Sequence, residues 1–169
     1  MARVLTDDEI NSLLREVKLL PSNWTSRLRP RPKSNMAFSQ RDLSLIGQSS
    51  HEFSLILRRS QQSPFDFSVI LIYTEESHDY ILRRNNGAHP SRHTNKWEKM
   101  RGASGYQLDV GFHIHMATER YQSAGLDIDG YAEQTDKYQD FDGALRLMLL
   151  DSNFVVPDHP GSQIRLPEA

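Results

Sequence analysis

The run Phe67-Ser-Val-Ile-Leu-Ile-Tyr73 is apolar on both faces over most of its length. In a strand, successive side chains point to opposite faces, so this segment has to be covered on both sides. That need makes it a central strand with helix laid over it. β-branched and aromatic residues also fill 52–59, and the turn-rich stretch Ser60-Gln-Gln-Ser-Pro-Phe-Asp66 joins the two runs as a hairpin. Further strands are expected over 36–46 (the weakest signal), 80–84 and 111–117.

Helices bracket these strands. Thr6-Asp-Asp-Glu9 has capping-box spacing, and Ile10, Leu13, Leu14 and Val17 follow as one apolar stripe until Pro21 stops the helix. A second helix is expected over 141–151, with Asp140 as its N-cap. Phe141, Ala144, Leu145, Met148 and Leu149 form its buried stripe. The order helix, strands, helix predicts an α+β fold: an antiparallel sheet of four to five strands, with the N-terminal and C-terminal amphipathic helices packed on one face. At 169 residues the chain fits a single domain over 1–156. Within it, 22–35 is expected to be an extended basic connector pinned by Trp24, and 157–169 a flexible tail. No apolar run approaches the ~20 residues that span a bilayer, and the N-terminus lacks the apolar stretch of a secretory signal. With no cysteine in the chain, disulfides and thiolate chemistry are excluded and a cytoplasmic location is expected.

The formal charge of −2 hides an asymmetry. Between residues 83 and 101 six Lys/Arg face a single acid, Glu98, whereas 126–151 holds seven acids against Lys137 and Arg146. A basic face suits a phosphate-bearing ligand such as RNA.

Histidines mark where chemistry could sit. In the stretch Gly111-Phe-His-Ile-His-Met-Ala-Thr-Glu-Arg-Tyr121, alternation puts Phe112, Ile114 and Met116 on one face. His113 and His115 share the other, and are expected side by side on a surface. The loop after the preceding strand adds His89 and His93, with His78 on the approach. Arg83, Arg84, Asn85, Asn86 and Arg92 lie in that same strand and loop. Arginine offers a fixed fork of donors for a phosphate, and an imidazole can take or give a proton near neutrality. Together these parts suit RNA cleavage without a cofactor: His89, His113 and His115 as acid and base, and Arg84 as charge clamp. Arg83, Asn85, Asn86, Arg92, His93, Arg120 and Tyr121 would bind substrate. The rival is a metal on His113 and His115, completed by His89, His93 or Glu119. A non-enzymatic interaction module or inhibitor, of the kind mobile elements and phages encode, is the other alternative.

Arg84-Asn-Asn-Gly-Ala-His-Pro90, followed by a polar loop and His113-Ile-His115, resembles the pattern of TumE-type toxins of bacterial toxin–antitoxin systems and related small α+β proteins. The resemblance covers about a third of the chain. It implies a growth-inhibiting, RNA-cleaving toxin neutralised by a partner antitoxin. The long 90–110 loop and the acidic C-terminal helix depart from that pattern.

Overall fold

The computed structural model describes residues 3–30 and 37–157, so the expected tail beyond Pro157 and part of the basic connector lie outside the described residues. The elements run α1 (Asp7–Arg15), β1 (Lys18–Leu19), α2 (Trp24–Arg27), β2 (Arg29–Pro30), β3 (Phe38–Ile46), β4 (Glu52–Ser60) and β5 (Phe67–Glu75). There follow β6 (His78–Asn86), α3 (Lys96–Met100), β7 (His113–Met116), α4 (Glu119–Ser123), a 3-10 turn (Ile128–Gly130), β8 (Glu133–Gln134), α5 (Phe141–Asp151) and β9 (Phe154–Val155).

The fold is α+β, and its antiparallel sheet runs β2 to β8 in sequence order. Seven strands replace the expected four to five because β2 and β8 are two residues long, too short to show any alternation. Arg29–Pro30 pairs only along an edge of the sheet, where proline's missing N–H does no harm, so the connector is not simply extended. It also contains a helical turn whose Trp24 is buried in the core.

One face of the sheet is the core. Leu43, Leu55 and Leu71 stand in register across β3, β4 and β5, as do Phe53 with Tyr73 and Leu57 with Val69. Asp140 caps α5 through Gly143 N–H at 2.7 Å, and Ala144, Leu145 and Met148 bury its stripe against this face. Among the described residues, the helix laid most closely on the strands is α5, across β5 and β6. The N-terminal helix α1 stands off and reaches the core through Ile10 and Leu13, so the expectation of two helices side by side on the sheet is corrected. The expected capping box of α1 is present, with Thr6 Oγ1 accepting from Glu9 N–H.

The chain turns back after α1, and the buried Lys18 ammonium seals the corner. It donates to the carbonyls of Leu13 (2.8 Å), Leu14 (3.3 Å), Glu16 (2.9 Å) and Ser152 (3.1 Å). These are orphan acceptors at the ends of α1 and α5, so one cation serves the negative ends of both helices. β1 and β9 pair in parallel at the same corner. No helix among the described residues is long and apolar enough to cross a membrane.

The opposite face carries two cross-strand rows. One runs Ile56, Ile70, Arg84, His115; the other runs Arg58, Ser68, Asn86, His113. A bulge between Leu71 and Ile72 sets this phase, by which Tyr80 pairs with Tyr73 on the core side and Arg84 points away from it. Gly87 ends β6, and a Cβ there would lie 1.8 Å from the Phe65 carbonyl oxygen. Gly87→Ala is expected to lower stability by about 2–4 kcal/mol and to displace the loop that follows; an unchanged urea midpoint would contradict the close approach.

Candidate metal centre

Segment 87–112 leaves Gly87 and folds back over the polar face, bringing His89 and His93 to the β7 histidines. Its path is fixed at several points. Asn95 N–H donates to Tyr106 O (2.7 Å), Leu108 N–H to His93 O (2.9 Å), and Thr94 bridges Gln107. The buried Asn95 amide pairs reciprocally with the Ala132 backbone, donating at 3.1 Å and accepting at 2.9 Å. The tip of the segment is α3, which sequence periodicity did not show. Its Glu98 accepts from Arg120 at 2.7 Å and from the Tyr121 hydroxyl, while Arg120 stacks 4.6 Å from the Trp97 ring.

Four imidazoles gather beneath this segment. Ring centres lie 4.8 Å apart for His93–His115, 5.0 Å for His113–His115, 5.0 Å for His89–His113 and 5.8 Å for His93–His113. His113 and His115 are 4% and 2% exposed, so the expectation of surface imidazoles is corrected. The strand alternation is as read, but the loop and the 3-10 turn cover that face.

Tethering sets the tautomers. Carbonyl oxygens only accept, so His113 Nδ1–H donates to Gly111 O at 2.9 Å and His115 Nδ1–H to Ile128 O at 3.1 Å. The Nε2 of each ring thereby carries the lone pair, which in His113 meets the Asn86 amide at 3.3 Å. The buried Nε2 of His93 has no hydrogen-bond partner. His93, His113 and His115 form the one group among the described residues whose ligand atoms could jointly hold a metal, all within 4.8 Å of one another. Zn–N bonds of about 2.0–2.1 Å hold tetrahedral nitrogens about 3.4 Å apart, so an ion would draw the rings together slightly. Backbone carbonyls on the outer nitrogens are the usual support of metal-binding histidines.

Burial keeps the rings neutral. It pushes His113 down to about 4 and His115 to about 3, helped by the Arg84 charge and by the neighbouring imidazoles. His93 is lowered in the same way, with Asn95 opposing. Neutral imidazole is the form that ligates, whereas acid–base cleavage by this pair would need one of them protonated.

Around the imidazoles, Asn86 Nδ2 lies 3.3 Å from His113 Nε2 while its Oδ1 accepts from Ser68 Oγ at 2.8 Å. Arg84, opposite His115 in register, forms an ion pair with Asp129. Burial and the Arg58 charge lower the pKa of Arg84, with Asp127 opposing. His89 is half-buried at the side of His113.

Several expected site residues lie elsewhere. Arg83 and Asn85 point to the core face: Arg83 Nε donates to Asn85 Oδ1 (3.0 Å), Arg83 pairs with Asp151 (2.8 Å), and Asn85 Nδ2 donates to Ala144 O (2.9 Å). They anchor α5 on the core side of the sheet. Arg120 and Tyr121 are engaged with Glu98, and Arg92 is exposed on the loop outside the imidazole group. His78 is exposed at the far end of β6, and Glu119 meets Asp7 at the start of α1. Sequence reasoning missed Asn95, the Gly111 and Ile128 carbonyls and Asp129. Only the acidic stretch Asp127-Ile-Asp129 carried a signal, and it pointed to a surface.

Compared with family models, with curated proteins and with solved structures, the chain has no match.

Proposed function

We propose that this protein hydrolyses phosphate esters with one divalent ion, held by Nε2 of His93, His113 and His115. The observation that carries this reading is that one ligand nitrogen from each of His93, His113 and His115 lies within 4.8 Å of the others, with the Nδ1 atoms of the β7 pair held by backbone carbonyls. Zinc suits three imidazoles with an open fourth position, and manganese or iron are the next candidates. A bound ion supplies Lewis acidity toward a phosphoryl oxygen.

The chain's own groups do the rest. Arg84 directs its guanidinium at the phosphate oxygens, and Asn86 adds a neutral donor. His89, half-buried beside His113, takes the proton of the attacking water as its oxygen bonds to phosphorus. The ester P–O bond then breaks, and protonated His89 returns that proton to the leaving oxygen. RNA is the substrate class we favour, because Arg92, Lys96, Lys99 and Arg101 are exposed on the segment covering the site. It is also what the resemblance to TumE-type toxins implies, with an antitoxin as protein partner.

A second reading has one observation in its favour. His89 is half-buried rather than sealed and lies 5.0 Å from His113, so His89 and Arg84 could cleave RNA without a metal. Incubation of purified protein with total RNA, with and without EDTA, separates the two. The metal reading expects cleavage to fall about a hundredfold or more in EDTA and to return on adding zinc or manganese. His113→Ala with His115→Ala should abolish it while the fold persists by circular dichroism. Full cleavage in EDTA selects the second reading. No cleavage together with no zinc binding leaves the interaction module.

A further inference from the structure

Two adjacent arginines on β6 are used very differently. Arg83 is saturated on the core side by Asn85 and Asp151. Arg84 is not. Its side chain is only 17% exposed, yet its buried Nε has no hydrogen-bond partner, and its ion-pair partner is Asp129. Asp129 itself is 53% exposed, on the three-residue turn Ile128–Gly130. A structural ion pair of a buried arginine normally engages its whole fork. Here Nε is left over, and Arg84 stands directly opposite His115 in the cross-strand register.

We propose that Arg84 is an oxyanion subsite beside the histidines, and that the Asp129 carboxylate fills it until a phosphate group displaces it. This deepens the hydrolase reading and rests on it for the chemistry, though not for the binding. A carboxylate and a phosphate compete for the same donors, and phosphate offers a third oxygen that can reach the free Nε. The turn carrying Asp129 also accepts from His115 Nδ1 through the Ile128 carbonyl, and Asp127 on the same segment approaches Lys96 at 3.9 Å. The acidic stretch is therefore an internal substitute for the ligand, laid over the basic site it resembles in charge. Substrate entry and the setting of the His115 ring are linked through three residues.

Inorganic phosphate, titrated calorimetrically into the full chain in chelator, tests the subsite apart from the metal. Asp129→Asn is expected to bind phosphate about tenfold more tightly than the unsubstituted protein, because the competitor is gone. Arg84→Gln, or Arg84→Lys if the glutamine variant does not fold, should remove that gain when combined with Asp129→Asn. An unchanged or weakened affinity in folded Asp129→Asn overturns the proposal. So does a double variant that binds as tightly as Asp129→Asn alone. Zinc titration of the same proteins in phosphate-free buffer reads the metal centre independently: loss of zinc binding with the phosphate effect intact would sink the hydrolase reading alone.

Discussion

Metal-free protein is expected to lose stability steeply as the pH falls from 6.5 toward 4.5. In the folded state His113 titrates near 4 and His115 near 3, against about 6.5 for an unfolded imidazole. Between those values the unfolded chain binds protons that the native chain refuses, so stability rises with pH through the window and is complete above 6.5. Each ring contributes at most about 1.4 kcal/mol per pH unit, so the pair removes on the order of 4 kcal/mol by pH 4.5. Surface carboxylates with lowered pKa, such as Glu9 and Glu75, act below the ordinary carboxylate range, which leaves pH 6.5 to 5 to the imidazoles. Urea midpoints in EDTA at pH 7.5, 6.5, 5.5 and 5 measure the effect. His113→Asn with His115→Gln should flatten the profile over that interval. A flat profile in the unsubstituted protein would mean that water reaches the two rings.

Lys18→Met should be about as damaging at neutral pH, where the ammonium is charged. Methionine keeps the length and apolar stem but withdraws the donors from four carbonyls. Burial lowers the Lys18 pKa to about 8 against the opposing Glu16 charge, so the ammonium is still protonated at neutral pH. The ammonium also lies 4.4 Å from the centre of the Phe53 ring, so the site fits a cation on its apolar side too. Leaving several buried acceptors without a donor costs about 3–5 kcal/mol. Chemical denaturation of the variant checks this, and a loss under about 1 kcal/mol would show that water replaces the ammonium.

Long periodic or doubly apolar segments were legible because burial wrote them. The span of α5, its Asp140 cap, the hairpin of β4 and β5, and the split of β7 into Ile114 against His113 and His115 all follow from residue period. The same alternation separates Arg84 and Asn86 from Arg83 and Asn85, a division the pooled basic stretch concealed. The bulge beside Ile72 added to this, since it breaks the phase between Tyr80 and Arg84 and no residue there announces it. Burial of the histidines was not legible either. It depends on a segment of about twenty-five residues folding back through single contacts such as Asn95 to Ala132, which leave no periodic trace. Lys18, alone among Val17, Leu19 and Leu20, could have been noticed as a charge in an apolar run.

The parallel pairing of β1 with β9 has a bearing on synthesis. Lys18 and Ser152, 134 positions apart, share a hydrogen bond, so the corner at α1 cannot close until almost all of the described chain has left the ribosome. Contacts that distant are slow to form. During translation α1 therefore waits with its final carbonyls exposed to water until α5, which backs the strand bearing Arg84, has been made.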